Sequence, residues 1–345
     1  MSLFKIQCWF FILLAGATIA SHTWITQFEQ SGTELLTNHW QYKVFGNNRV
    51  DLTSTGFTLF SNNATAITSI YQNIPEITPG TILLLSAKVK CNDVVAGEKP
   101  WNQARLLLLQ VDEKKERWDL STVVVALTGT HGWKNYQGIF TVSPETQSVR
   151  IIAQLSQATG SFQVNDIKLY PVRETRMFTM TRNITLLAWG VFFLLLTGSC
   201  LFNRKHSIFL RLLLVCTFIS IIVGTTFPGD TKNQVSDEVK THFHTQSEPL
   251  KATILWNLSK IWHFCSFLLL GLIIALMMTQ ESLGRVIFII FSLAAGTELA
   301  QLYIEGRTPL VADFFIDAAG GIAGMVLIWL RKIKKDNYTS DTKTA

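Results

Sequence analysis

The sequence predicts a protein of two parts, an exported all-β jelly-roll sandwich followed by an α-helical transmembrane bundle. The first observation is composition, since the 345 residues are 48% hydrophobic and only 16% charged, against about 25% charged in a typical soluble domain. The second is distribution, since residues 21–180 alternate in short runs, while residues 183–330 form long apolar blocks. The chain is therefore predicted to have a soluble part and a membrane part.

The first apolar segment is typical of export signals. The run "IQCWFFILLAGATIA" at residues 6–20 follows Lys5 and ends in small residues. A basic start, a short apolar core and a small-residue end form the pattern of a secretory signal. Residues 1–20 are therefore interpreted as a signal peptide or as an uncleaved signal-anchor helix, and the sequence leaves both alternatives open. In either case, the residues that follow are expected outside the cytoplasm.

The segment 21–180 predicts a β-sandwich. Short β-rich runs, from "SIYQNI" at residues 69–74 to "GSFQVNDIKLYPV" at residues 160–172, are separated by turn residues at intervals of roughly a dozen positions. Cys91 is the one cysteine in this segment, so the sandwich is predicted to fold without an internal disulfide.

Five longer apolar blocks predict membrane helices, because crossing a bilayer takes about 20 mostly apolar residues. Cytoplasmic connections are rich in Lys and Arg, and Arg204, Lys205, Arg285 and the run 331–335 fall at alternate ends of these blocks. This places the sandwich outside a bacterial cytoplasmic membrane and the basic, polar tail 331–345 inside. The formal net charge of +6 is thus attributed to basic residues that flank the membrane helices, and no nucleic-acid partner is expected. The blocks are an additional helix at 183–202 and a four-helix domain over 208–330, with helices at 208–226, 261–279, 285–304 and 310–330.

Polar residues interrupt the last three predicted helices near their outer ends. They are spaced three or four apart within each helix, so each set shares one helix face. Ionisable groups inside a membrane are costly and normally face the bundle interior, which predicts an outward-facing polar pocket. The alternative is a network that only locks the helices together, because buried polar groups need partners. The predicted pocket residues are Lys260, His263, Glu298, Gln301, Arg307, Asp313 and Asp317.

These motifs resemble the VanZ-like membrane family over about residues 208–330. The resemblance rests on "SKIWHF", "ELAQ", Arg307 and "ADFFIDAAGGIAG", and "TTFPG" at 225–229 fits the end of the family's first helix. Two positions depart from the family pattern, because Ser259 and Asp317 stand where the family has Asp and Asn. The family is named for a teicoplanin-resistance protein, so the resemblance implies a cell-envelope role related to glycopeptide resistance. The glycines after Asp317 also predict close helix packing.

The sandwich resembles the galactose-binding-like jelly roll of carbohydrate-binding modules. The likeness rests on "PGT…LSAKV", the "W..Y...F.V" strand and the closing "GSFQVNDIKLY". It implies a glycan ligand held by exposed aromatic rings. Trp101 and Trp118 lie among polar residues and are the predicted glycan-binding residues, whereas Trp133 and Tyr136 follow a strand pattern and are expected in the core. Asp166 is interpreted either as a turn residue or as an ion ligand.

The function predicted from these features is that of a cell-envelope membrane protein that binds a glycan or a lipid-linked envelope molecule on the outer side. One alternative is a membrane enzyme acting on a lipid-linked or phosphorylated envelope substrate, with His263, Glu298 and Asp313 as acid, base or cation ligand. A second is an accessory protein of a transporter, which the confinement of the polar residues to one end of the helices disfavours. No zinc spacing or phosphate-loop motif occurs, so no metal or cofactor is expected.

Overall fold

A computed structural model describes residues 3–113, 115–201, 207–226, 248–278, 282–304, 307 and 309–341. The chain folds into two compact units. One is Gln27–Thr175, inside the predicted range 21–180, and the other is formed by the helical segments before and after it. The predicted order, an all-β sandwich followed by a bundle of long apolar helices, is confirmed.

The sandwich contains two antiparallel sheets. One sheet has the order β3-β4-β11-β6-β9, with β1 paired to β11, and the other has the order β2-β5-β10-β7-β8. The strands are β1 Phe28–Gln30, β2 Gln41–Lys43, β3 Arg49–Leu52, β4 Gly56–Ser61, β5 Ile67–Pro75, β6 Ile82–Val95, β7 Ala104–Val111, β8 Glu116–Leu127, β9 Gly129–Thr141, β10 Ser148–Ser156 and β11 Thr159–Glu174.

Alternate residues of the central strands build the core between the sheets. On β7, Ala104, Leu106 and Leu108 are fully buried in this core, as the two-residue period of a strand requires. Burying a Leu side chain contributes about 1.5–3 kcal/mol, so these alternating positions stabilise the sandwich strongly. Cys91 is buried among them as a free thiol, as expected for a sandwich without an internal disulfide.

The expectation that Trp133 lies in the core is wrong, because its side chain is 47% exposed. Trp133 belongs to β9, an edge strand of the six-stranded sheet. The pairing of β9 with β6 shifts register beside this residue, and such an irregularity breaks the alternation that sequence patterning assumes. Tyr136, three residues later, packs against the core as predicted.

Six described helices are long and apolar enough to cross a membrane, which agrees with the five predicted blocks and the N-terminal segment. The last helix continues through the basic residues after position 330. The bounds are α1 Leu3–Trp24, α2 Arg176–Leu201, α3 Ile208–Thr226, α4 Glu248–Met277, α5 Leu283–Gln301 and α6 Val311–Asp341.

Helix α1 packs into the bundle and makes polar contacts there. Leu14 belongs to the buried apolar cluster of the helices. The indole Nε1 of Trp189 on α2 donates a hydrogen bond to Thr18 Oγ1 at 3.0 Å. The hydroxyls of Ser21 and Tyr303 are also hydrogen-bonded, at 2.5 Å. The N-terminal segment is thus a packed member of the helical unit.

Helices α4 and α6 approach each other along a line of glycines. A Cβ atom placed on Gly320 would lie 2.4 Å from Phe264 O, and one on Gly324 would lie 2.2 Å from Leu268 O. Neither position therefore has room for a side chain. The close packing predicted from the glycines is confirmed, and it brings the polar ends of α4 and α6 together.

Candidate functional site

The polar cluster comprises the seven residues predicted as an intramembrane pocket, Lys260, His263, Glu298, Gln301, Arg307, Asp313 and Asp317. Four of them are buried, with exposed fractions of 8% for His263, 7% for Glu298, 5% for Gln301 and 0% for Asp317. Lys260, Arg307 and Asp313 are half-buried. Helices α4, α5 and α6 and the turn before α6 therefore contribute to one polar region.

His263 and Asp317 join α4 to α6. The imidazole Nδ1 of His263 lies 3.0 Å from Asp317 Oδ1, so an Nδ1–H donates to the carboxylate. This bond fixes the ring, as an acidic partner does for histidines that act in catalysis. The other oxygen of Asp317, Oδ2, is buried without a hydrogen-bond partner among the described residues.

Glu298 joins α5 to the start of α6. Its Oε2 accepts a hydrogen bond from the backbone N–H of Leu310 at 2.9 Å, immediately before the first residue of α6. The first N–H groups of a helix have no partner within the helix, and a negative charge is favourable there. The second oxygen of Glu298, Oε1, is also buried without a partner in the described part of the chain.

Gln301 and Arg307 bind the last turn of α3, a role that the sequence did not reveal. Gln301 Nε2 donates to Thr225 O and Arg307 Nη2 donates to Gly224 O, each at 3.1 Å. The last carbonyls of a helix need such donors. The clue in the sequence was the "TTFPG" motif, where a helix ends, although its residues 227–229 lie outside the described residues.

The Arg307 guanidinium lies within electrostatic reach of two acids of the cluster. Burial lowers the pKa of Arg307, while the charges of Glu298 and Asp313 act in the opposite direction. The positive charge of Arg307 therefore partly offsets the charges of these two acids.

The two unpartnered carboxyl oxygens set the chemistry of the polar cluster. A buried acceptor without a donor costs about 1–3 kcal/mol. Glu298 Oε1 and Asp317 Oδ2 can be satisfied by a bound proton or by hydroxyl or ammonium donors of a ligand. Each acid thus holds helices with one oxygen and leaves the other for a further partner.

An apolar cleft of about 340 Å³ lies beside Glu298, between α5 and the start of α6. It is suited to an apolar chain, with one carboxylate at its wall. Its lining residues are Ala295, Glu298, Leu299, Leu302, Pro309, Leu310, Val311 and Phe314.

A second candidate site is a groove of about 590 Å³ in the sandwich, here called the sheet groove. It lies on the face of the five-stranded sheet that points away from the core. Trp118, predicted to bind glycan, lines the groove and is 47% exposed. Trp101 is 45% exposed, but it belongs to the loop between β6 and β7 and is not among the lining residues. These are Lys43, Phe45, Thr65, Ala66, Ile67, Ser69, Tyr71, Glu116, Trp118, Arg150, Ile152, Gln154 and Gln157.

The aromatic and charged groups of the sheet groove hold one another in place. Trp118 Nε1 donates to Glu116 Oε2 at 3.0 Å, and Arg150 Nη1 binds the other oxygen of Glu116. The Arg150 guanidinium lies 5.2 Å from the centre of the Tyr71 ring. Both rings are therefore oriented before any ligand arrives, which lowers the entropy cost of binding.

Sequence reasoning missed Tyr71, Arg150 and Gln154. All three alternate with core residues along β5 and β10, so the pattern of strand alternation was the available clue. Their assembly into one groove depends on the pairing of β5 with β10, in which Tyr71 lies opposite Ile152.

Asp166 holds a backbone turn in the sandwich. It has a positive φ of 49° beside a register shift in β11, a conformation that Asp tolerates better than most residues. Its N–H donates to Thr55 O at 2.9 Å, and its carboxylate pairs with Lys88 at 2.8 Å. That hydrogen bond lowers the pKa of Asp166, which supports the turn interpretation.

Among solved structures, the sandwich is similar to carbohydrate-binding modules. The CBM22-1 xylan-binding domain from Paenibacillus barcinonensis Xyn10C has 15% identity and a TM-score of 0.30, over 43% of this chain and 99% of that chain. The N-terminal cellulose-binding domain of Cellulomonas fimi β-1,4-glucanase C has 16% identity and a TM-score of 0.28, over 38% and 88%. The enzymatically active domain of bacteriophage CBA120 tailspike protein 4 has 17% identity and a TM-score of 0.27, over 42% of this chain and only 19% of that one.

No curated protein matches this chain. The family comparison matches residues 212–332 to the family described as VanZ/LLP1. The matched range includes all seven residues of the polar cluster and the carbonyls of Gly224 and Thr225 that two of them bind. This chain is thus a membrane-helix protein in which a VanZ/LLP1 family region follows a β-sandwich that resembles carbohydrate-binding modules.

Proposed function

We propose that this chain is a cell-envelope membrane protein that binds a glycan in the sheet groove, on the outer side of the membrane. The observation that carries the proposal is the preorganised pair of aromatic rings, Trp118 and Tyr71, in a groove of about 590 Å³. The apolar helices would anchor the chain that carries this groove in the membrane.

The sheet groove combines the two kinds of contact that sugars need. The exposed ring of Trp118 offers an apolar face on which the C–H face of a pyranose can lie, and Tyr71 lines the same groove with Arg150 over its ring. Gln154 is only 5% exposed, lines the groove, and makes no side-chain hydrogen bond among the described residues. Its amide is thus available to sugar hydroxyls, and a few placed polar groups in an otherwise apolar site give specificity.

The outer location rests on the distribution of charge along the sequence. Alternate connections of the helices are basic, which supports a cytoplasmic location for the tail 331–345 and an extracytoplasmic one for residues 21–180. Glycans of the envelope are accessible from that side.

Aromatic substitutions in full-length protein in detergent test the groove. Binding is measured on an array of bacterial and plant polysaccharides. We expect Trp118→Ala to weaken binding by at least about tenfold, because a central aromatic anchor is worth at least about 1–2 kcal/mol. Trp101→Ala and Trp133→Ala are matched controls, since their side chains are 45% and 47% exposed outside the groove. Loss of binding in Trp101→Ala with none in Trp118→Ala would place the site on the β6–β7 loop instead.

The polar cluster is proposed to receive the head group of a lipid-linked envelope molecule. Glu298 Oε1 and Asp317 Oδ2 are unfilled acceptors, and the apolar cleft beside Glu298 suits the attached chain. Sugar hydroxyls or an ammonium group of a head group supply the donors that these oxygens lack.

The thermal stability of Glu298→Gln and Asp317→Asn tests this site against a purely structural cluster. Each protein is heated in detergent with and without extracted envelope lipids. Lipid should raise the midpoint of the wild type and not that of the variants. Early melting of both variants, together with no lipid effect on the wild type, would reduce the polar cluster to a helix lock.

A second candidate function is catalysis on the same lipid-linked molecule, and the His263–Asp317 pair favours it. Asp317 fixes the ring through Nδ1, and no other hydrogen bond of the ring occurs among the described residues, so Nε2 remains for proton transfer. His263→Ala should then abolish turnover of radiolabelled envelope lipids in membranes while lipid binding persists. Unchanged turnover would exclude this role.

A further inference from the structure

Arg105 lies in a cross-strand row with residues that line the sheet groove. Its neighbours on β7, Ala104 and Leu106, point into the core, so Arg105 points to the opposite face. Across the sheet, Arg105 pairs with Gln154, Gln154 pairs with Ser69, and Ser69 pairs with Lys43. The last three line the groove, and adjacent positions in such a row lie about 5 Å apart.

The same face of β7 reaches the groove at other positions. Leu107 and Leu109 form a second apolar cluster with Ile152, and Tyr71 packs against it. Ile152 and Tyr71 line the groove. The outward face of β7 is therefore continuous with the groove floor, and Arg105 stands at its edge.

Arg105 carries a charge that the sandwich does not neutralise. Its Nε is buried without a hydrogen-bond partner, and no ion pair of its guanidinium occurs among the described residues. Lys43, at the other end of the row, contacts the Phe45 ring and likewise has no carboxylate partner in the described part of the chain. The acid in the groove, Glu116, is already bound by Arg150 and Trp118.

We propose that the sheet groove selects acidic glycans, whose anionic sugar units bind the Arg105 guanidinium with Lys43 as a second cation. The proposal rests on glycan binding in the groove and adds the chemical class of the glycan. A guanidinium matches a planar carboxylate with two parallel hydrogen bonds, which are stronger than bonds between neutral groups.

The environment of Arg105 supports an anionic partner. Burial lowers the pKa of Arg105, which means that its positive charge is held at a cost in free energy. An anion placed against it offsets that cost, whereas a neutral sugar hydroxyl does so only weakly.

Matched oligosaccharides test the proposal on the full-length protein in detergent. The first pair is an oligogalacturonate and its carboxyl-methylated form, in which each charged carboxylate becomes a neutral methyl ester. The second pair is glucuronic-acid-substituted xylan and unsubstituted xylan. A sulfated galactan and its desulfated form distinguish carboxylate from sulfate as the anion. We expect the acidic member to bind at least tenfold more tightly, with the difference shrinking in high salt because the charges are partly exposed.

Arginine variants then assign the selectivity. Arg105→Gln should reduce binding of the acidic member about tenfold and leave binding of the neutral member unchanged, while Arg105→Lys should retain part of the difference. Arg49→Gln is the matched control, because Arg49 lies on β3 in the other sheet and pairs with Asp51. Thermal midpoints of all variants establish that each is folded.

Each outcome bears on the proposal. Equal binding of the acidic and neutral members, or selectivity that survives in Arg105→Gln, would overturn acidic selection and leave glycan binding intact. If the folded wild-type protein binds neither member of any pair, both the acidic selection and the binding of glycans in the groove would be overturned.

Discussion

At the scale of single residues, the acids of the polar cluster divide their two oxygens between different tasks. Asp317 Oδ1 binds His263 across two helices, while Oδ2 has no partner among the described residues. Glu298 repeats this arrangement with the start of α6. A structural role and a binding role therefore coexist in one side chain, and isosteric substitutions are needed to separate them.

Two substitutions of Asp317 should separate the contribution of its hydrogen bond to thermal stability from that of its charge. Asp317→Ala leaves the His263 ring without its partner in a buried site, which should cost about 1–3 kcal/mol. Asp317→Asn keeps an acceptor for Nδ1–H at the same position and should cost less than about 1 kcal/mol on the same scale. The measurement is the thermal midpoint in detergent.

Asp313→Ala provides the comparison for Asp317, because Asp313 is half-buried on the same helix and has no side-chain hydrogen bond among the described residues. It should change the midpoint little. A fall in Asp317→Asn as large as that in Asp317→Ala would show that the negative charge, rather than the hydrogen bond, stabilises the helix pair.

At the scale of secondary-structure elements, α1 forms specific side-chain hydrogen bonds with other parts of the helical unit. Its composition fits both a cleaved signal and a retained anchor, which is why sequence alone left the two open. The bond from Trp189 to Thr18 and the contact of Ser21 with Tyr303 are specific to a packed helix. These contacts favour retention of α1 in the mature protein.

If α1 is retained, it should contribute to the mass of the purified protein and to its thermal stability. The intact mass of purified protein should include residues 3–24, and Thr18→Val should lower the thermal midpoint because Trp189 Nε1 loses its buried acceptor, at about 1–3 kcal/mol. Thr23→Val is the control, since the one side-chain hydrogen bond of Thr23 among the described residues goes to Ile19 O, in the preceding turn of its own helix. A mature N-terminus after residue 20 would refute retention.

The glycine contact between α4 and α6 makes a second prediction at this scale. Gly324→Ala should be destabilising by about 1–3 kcal/mol, because the added methyl group meets Leu268 O at 2.2 Å and the helices must separate. Gly190→Ala on α2 is the control, with nothing within 4 Å of the added atom, and it should be neutral or slightly stabilising. Equal midpoints for the two variants would contradict the close packing of α4 on α6.

Sequence predicted those features that depend on local pattern. The apolar blocks predicted the helices because span length and hydropathy are properties of a single segment. The exposure of Trp118 could be predicted because its neighbours in the sequence are polar. Features that depend on which strands or helices lie next to each other could not be predicted from the sequence. The register shift that exposes Trp133, the carbonyls of α3 that Gln301 and Arg307 bind, and the groove residue Tyr71 all require knowledge of which elements are adjacent.

At the scale of the whole molecule, function depends on which side of the membrane each unit occupies. The described helices include six candidate spans, one before the sandwich and five after it. If all six cross, the N-terminus and the tail 331–345 share one side and the sandwich lies on the other. With the tail in the cytoplasm, as proposed from the basic flanks, the sandwich that carries the sheet groove would lie on the envelope side.

Protease treatment of intact bacterial spheroplasts should confirm this arrangement. Exposed loops of the sandwich should be cut from outside, whereas a C-terminal epitope tag should survive until the membrane is opened with detergent. Replacing Arg331, Lys332, Lys334 and Lys335 with Gln should weaken the preference, because basic residues at the cytoplasmic ends of membrane helices contribute to orientation. Protection of the sandwich with digestion of the tag would place Trp118 and Arg105 in the cytoplasm. Envelope glycans would then be out of reach, and the groove would need a cytoplasmic ligand.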